Sequence, residues 1–154
     1  LVLSTLHTND APSTINRLLN MGVEPFLVAS SINIVVAQRL ARRVCDNCRE
    51  RLDISPEILV DAGIPAAEAP HVEIYYGTGC TKCSGTGYKG RIALYECMAM
   101  TEELKEFVLN GASAAEIKRE AIRQGMQTLR ASGLEYLKAG VTSLEEVLRV
   151  SASD

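Results

Sequence analysis

The sequence predicts an α/β chain of 154 residues in three parts. Residues 1–44 alternate strand and helix, residues 45–100 form a cysteine-bearing α+β segment, and residues 101–154 are helical. Three observations carry this reading. Over the first part, apolar runs alternate with helix-start and helix-stop residues. Two Cys-x-x-Cys pairs frame the second part. Beyond Thr101, Ser-x-x-Glu starts and glycine stops recur at helical spacing. Aromatic residues make up 5% of the chain, so aliphatic side chains must fill the core. The 16 Lys and Arg are outnumbered by 19 Asp and Glu, for a net charge of −3, which argues against a nucleic-acid-binding surface. The uncharged stretch from Pro25 to Gln38 is too short to span a bilayer, and no basic, then apolar leader opens the chain. Leu1 stands inside an apolar run, which reads as the start of a piece excised from a longer protein.

In chain order, Leu1 to Leu6 reads as a short buried strand. Asp10 or Asn9 caps the helix that follows, Pro12 suits its first turn, Ile15, Leu18, Leu19 and Met21 form its apolar face, and Gly22 closes it. Glu24-Pro25 starts a second helix through about Ser31. Ile32 to Leu40 is β-branched and predicts a strand. Ser55-Pro56-Glu57 starts a helix with Leu59, Val60 and Ile64 on its apolar side. Residues 65–70 form a loop, with His71 at the surface, and Val72 to Tyr76 reads as a strand. A glycine-rich stretch surrounds the second cysteine pair, and Arg91 to Met98 is a further strand with Cys97 as a buried free thiol. Four short helices are expected from 101 to 150. Ser113 to Glu116 and Ser143 to Glu146 are capping boxes, and Gly111, Gly125 and Gly140 are stops. Ser151 to Asp154 is expected to fray.

Four of the five cysteines, Cys45, Cys48, Cys80 and Cys83, form the two pairs. Two residues between thiolates turn both sulfurs inward on one tight loop, and two such knuckles make a tetrahedral sulfur site that suits structural zinc. Such a site is closed, with no position left for substrate. The 31 residues between Cys48 and Cys80 imply an insertion between the knuckles. The alternatives are an Fe–S cluster, disulfides, or a redox pair. Gly85-Thr-Gly87-Tyr-Lys-Gly90 matches G-x-G-x-x-G, but a cysteine knuckle precedes it and a strand follows, the wrong context for a dinucleotide site. Its glycines supply positive φ angles instead. No G-x-x-x-x-G-K-[ST] occurs in the chain. Cys80-x-x-Cys83-x-Gly85-x-Gly87 resembles one repeat of the J-domain chaperones' cysteine-rich region, which carries four. The Arg-rich run from Arg39 to Arg51 reads as a solvated edge, a subunit contact or a phosphate-binding patch.

The run Ser4-Thr-Leu-His-Thr-Asn-Asp10, with Arg17-Leu-Leu-Asn-Met-Gly-Val-Glu-Pro-Phe26 and Ala37-Gln-Arg-Leu40, closely resembles the type II secretion and type IV pilus assembly (extension) ATPases. The paired knuckles, Gly87-Tyr-Lys-Gly-Arg91, Tyr95-Glu96 and Gly140-Val-Thr-Ser-Leu-Glu-Glu-Val-Leu148 fit the same family. The resemblance implies the C-terminal remnant of a RecA-like P-loop ATPase core, a zinc-bearing subdomain and a small helical subdomain. It implies a cytoplasmic homohexamer without a transmembrane segment, attached to the inner-membrane platform protein. ATP with Mg2+ would be hydrolysed to add pilin or pseudopilin subunits. Ser4 to Asn9 matches the family's histidine box, so His7 is expected to sense phosphate or position water, with Thr5, Thr8 and Asn9 beside the nucleotide. Arg39 is expected to be nucleotide-proximal, and Cys45, Cys48, Cys80 and Cys83 match the zinc ligands. The Walker A loop, Walker B carboxylates and arginine fingers would precede Leu1, so this chain alone is expected to be inactive. The alternative is a non-enzymatic zinc-binding interaction module, chaperone-like or a zinc ribbon.

Overall fold

Asp10, Pro12 and Gly22 delimit the first helix as the sequence predicts. α1 (Ala11–Asn20) follows an extended Asp10 whose carboxylate accepts the Ser13 N–H at 2.9 Å. The chain leaves it through Gly22 at φ 87°, a conformation that favours glycine. α2 (Pro25–Ser31) follows. β1 (Ile34–Val44) continues past the predicted end at Leu40. β2 (Arg49–Leu52) was not expected, because Arg-Glu-Arg-Leu carries no apolar alternation. It is a strand because β3 (Ile74–Gly77) supplies its partner, antiparallel from Arg49↔Gly77 to Leu52↔Ile74. Between them lie α3 (Pro56–Asp61) and a 3-10 turn at Ala69–His71. β4 (Tyr88–Ala99) pairs with β1. The four expected helices are α4 (Glu102–Leu109), α5 (Ala114–Arg123), α6 (Leu129–Lys138) and α7 (Leu144–Val150).

The computed structural model describes residues 1–151, in two compact units. The first comprises residues 1–38 and 95–128, the second residues 39–94 and 129–151. One aliphatic cluster fills the first unit: Ala11 and Ile15 of α1, Val28 and Ala29 of α2, Met98 and Met100, and Leu104, Val108, Ile117 and Ala121 of α4 and α5. The second unit has two smaller clusters. Leu59, Ile64 and Ile74 meet Leu134, Leu137 and Val147 in one, and Ala41, Leu94, Leu129 and Val150 make the other. Among the described residues no helix is long and apolar enough to cross a membrane.

Four local expectations are corrected. Leu1 to Leu6 is neither a strand nor buried: no strand pairs with it among the described residues, and Leu1, Val2 and Leu3 are almost fully exposed. A strand needs a neighbour to take its N–H and C=O groups. Met21 and Val60 also face solvent, while Ile15, Leu59 and Ile64 are buried. The Ser113–Glu116 capping box is complete, but at the second one only Ser143 caps, because the Glu146 carboxylate is engaged by two arginines. Ser151 is buried, its hydroxyl held by Arg130 at 2.6 Å; the rest of the end expected to fray, 152–154, lies outside the described residues.

Candidate metal centre and histidine cleft

The β2–β3 pair brings the two knuckles together across the insertion. Cys48 immediately precedes β2 and Thr78 follows β3, and the Thr78 N–H donates to the Cys48 carbonyl at 3.0 Å. The Cys45 N–H donates to the Gly87 carbonyl at 2.9 Å, tying the first knuckle to the second. Glycine is required where the loops touch: a Cβ on Gly77 would lie 2.0 Å from the Gly87 oxygen, and Gly87 itself has φ 77°. The predicted positive φ angles occur at Gly85, Gly87 and Gly90.

The four sulfurs of Cys45, Cys48, Cys80 and Cys83 all lie within 4.8 Å of one another. The Sγ–Sγ separations are 3.9 Å for Cys45–Cys80, 3.8 Å for Cys48–Cys83 and 3.7 Å for Cys80–Cys83. A tetrahedron with zinc–sulfur bonds of about 2.3 Å has edges of about 3.8 Å. The residues therefore fit a single ion of zinc's size; thiolates of a polynuclear iron–sulfur cluster would have to straddle several irons. All four are free thiols, so the disulfide alternative does not hold in this structure. Burial pushes the Cys83 thiol up, but the Cys80 and Gly87 N–H groups, each 3.2 Å from its sulfur, outweigh this and lower it to about 6. Cys80 is likewise lowered despite desolvation, with Asn47 Nδ2 donating to its sulfur at 3.3 Å. Desolvation pushes Cys48 up to about 12. The hydrogen bonds of the second knuckle thus favour the thiolate, the form that binds metal.

Cys97 is no part of the cage and is exposed, against expectation. The period-two alternation of β4 turns Leu94, Glu96 and Met98 inward and Tyr95 and Cys97 outward. The inward set includes a charged residue, Glu96, which is fully buried.

In the first unit, His7, Thr8 and Asn9 line an open cleft of about 320 Å3 with Ser13, Asn16, Arg17 and Asn20. These last four recur at i, i+3, i+4 and i+7, so they form one polar face of α1, opposite buried Ile15. That periodicity was legible in the sequence as the complement of the apolar face. The segment is anchored: Thr8 Oγ1 lies 2.8 Å from Thr14 Oγ1, and Lys118 Nζ lies 3.4 Å from the Asp10 carboxylate. Burial raises the Asp10 carboxyl, but donors from Ser13 and then Lys118 hold it below its ordinary value. Thr5 is exposed and is not among the residues lining the cleft. Arg39 falls in the second unit, half-buried on β1. His71 is exposed as expected.

Within the Arg-rich run, Arg42 is structural. It contacts Glu146 through both its backbone N–H and its guanidinium, each at 2.7 Å, and its guanidinium lies 4.1 Å from the Tyr88 ring centroid. Arg51 pairs with Glu73 at 2.8 Å on the exposed surface.

The model of the family described as Type II/IV secretion system protein matches residues 1–149. The chain belongs to that family. It is 54% identical to a type IV pilus assembly ATPase, PilB, of Myxococcus xanthus, over 100% of this chain and 27% of the relative. It is 47% identical to a PilB of Thermus thermophilus, over 96% of this chain and 17% of the relative. It is 39% identical to the type II secretion system protein E of Aeromonas hydrophila, over 100% of this chain and 30% of the relative. The chain spans less than a third of the length of each of these relatives. The resemblance read from the histidine segment and the paired knuckles is thus borne out at the level of the family, and the four knuckle cysteines form one cluster.

Proposed function

We propose that this chain is the C-terminal region of a motor ATPase that hydrolyses ATP with Mg2+ to drive pilin or pseudopilin assembly. The observation that carries this is the family match over residues 1–149, with relatives named as pilus assembly ATPases along the whole chain. In this reading residues 1–44 belong to a RecA-like core, residues 45–100 carry the zinc segment, and residues 101–154 form the helical tail. The parent protein is a cytoplasmic homohexamer held at the inner membrane through a platform protein.

The four thiolates hold zinc as a structural ion, since a closed sulfur shell leaves no site for water or substrate. Bound zinc supplies cross-linking of the two knuckles. His7 presents its imidazole to the γ-phosphate side of the nucleotide and orients water or senses the phosphate. Thr8 and Asn9 supply hydroxyl and amide groups beside it; Thr5 and Arg39 are assigned to the nucleotide from the family resemblance alone. The P-loop lysine and the Mg2+ carboxylates are contributed by sequence outside this chain, so these 154 residues alone hydrolyse no ATP.

The test is ATP turnover. The purified 154-residue chain should show none above blank. In the full-length protein, His7→Ala should lower kcat about 100- to 10,000-fold, the range of a lost acid–base group, and leave one zinc per chain. A variant that turns over normally but loses metal overturns the role given to His7. A full-length protein that holds zinc and never hydrolyses ATP favours the interaction-module reading.

A further inference from the structure

We infer that Glu96 is a positioning residue for the histidine segment, anchoring it from β4; this rests on the motor reading above. Glu96 stands in Ile92-Ala-Leu-Tyr-Glu-Cys-Met98, in phase with Leu94 and Met98, and is fully buried. An aliphatic side chain would fill that position without desolvating a charge, so core packing does not explain the carboxylate. Its Oε1 instead accepts the Ala11 N–H at 2.8 Å, across 85 positions of chain. Ala11 is the first residue of α1, where the N–H groups have no partner within the helix and the helix end attracts negative charge.

Ala11 also closes the segment that carries His7. Thr8 is fixed on Thr14, Asp10 on Ser13 and Lys118, and Ala11 on Glu96. The Glu96 bond is fully inside the protein, whereas the Lys118–Asp10 pair keeps some solvent contact. The depth and entry angle of α1, and with them the place of His7 and Asn9 at the cleft, are set by how far the residue 96 side chain reaches. Misplacing a catalytic group by about 1 Å can cost on the order of 100-fold in rate.

Three substitutions separate reach from charge. Glu96→Gln keeps the length and an acceptor oxygen. Glu96→Asp keeps the charge and withdraws it by one methylene. Glu96→Ala removes both. In the full-length protein we expect Glu96→Asp and Glu96→Ala to lower kcat at least tenfold with KM for ATP unchanged. Glu96→Gln should stay within threefold of the parent. The chain has two histidines, so His7 ring protons are read directly by NMR in the 154-residue chain, with His71 as internal control. They should shift in Glu96→Asp and Glu96→Ala and hold in Glu96→Gln. If Glu96→Ala does not fold, the Asp and Gln variants decide. Parental kcat in Glu96→Asp, a defect in KM alone, a Glu96→Gln as poor as Glu96→Ala, or unmoved His7 resonances each overturns the inference. A parent protein without ATP turnover overturns the motor reading instead, and the His7 resonances still decide whether Glu96 anchors the segment.

Discussion

The first unit is held by one aliphatic cluster drawn from four helices and the end of β4, with Ile15, Leu104, Val108 and Ile117 essentially inaccessible. The second divides its apolar residues into two smaller clusters and adds two polar devices of its own. One is the four-sulfur cage. The other is Glu146, fully buried and gripped by Arg149 through two bonds of 2.8 Å and by Arg42. The reason lies in composition. The loop from Gly77 to Gly90 contains five glycines and almost no side chain that could enter a core. Such a loop gains little from burial and loses much conformational freedom, and in the zinc reading proposed above coordination supplies what packing cannot.

The largest expected effect tests that contrast directly. Chelation of the metal, or Cys83→Ser, removes an interaction worth on the order of 10–16 kcal/mol in small modules, as much as a whole domain's stability. Amide exchange should then rise throughout residues 45–94 while α1, α4 and α5 stay protected. Equal loss in both units would break the comparison. Next in size is Ile15→Ala, a cavity in the aliphatic core that costs about 3 kcal/mol; it should lower the first unit's unfolding midpoint in urea with the metal content unchanged.

A smaller effect concerns Glu146. Burial raises its carboxyl, but donors from Arg149 and Arg42 outweigh this and bring it from 4.5 to about 2. The folded value is the lower one, so its contribution is complete above about pH 4.5 and disappears as pH falls through about 2. After allowance for the solvent around the half-exposed arginines it amounts to about 2 kcal/mol. Thermal unfolding should show Glu146→Gln less stable than the parent at pH 6, with the gap closing towards pH 2. The smallest effect is Ser113→Ala, which removes one partner of the α5 capping box and costs about 1 kcal/mol, a shift of a few degrees in Tm.

What was legible in the sequence depended on how local its cause was. Helix limits at Asp10, Gly22, Ser113 and Gly140 are set by side chains and φ angles within four residues, and all appear where expected. The tetracysteine cluster was legible because two residues between thiolates admit few geometries. β2 was not, since its strand character is imposed by β3, more than twenty residues on. Leu1 to Leu6 misled because apolarity marks an appetite for a partner without supplying one. In the cleft, His7, Thr8 and Asn9 were named from the family resemblance, and Ser13, Asn16, Arg17 and Asn20 were legible as the polar complement of the α1 apolar face, though not as neighbours of His7. Cys97 and Glu96 were legible in principle: once Leu94 and Met98 are taken as inward, alternation settles both.

The antiparallel closure of β2 on β3 makes the cage indifferent to most of what lies between its halves. Register from Arg49↔Gly77 to Leu52↔Ile74 clamps the neck, so the exposed turn between buried Ile64 and Ala69 is a place where sequence length can be spent without detuning the sulfurs. Ala66 and Ala67, exposed in that turn, offer a graft point. A short tag or fluorophore-bearing peptide spliced there would ride on the cysteine-bearing unit while leaving the four sulfurs in place.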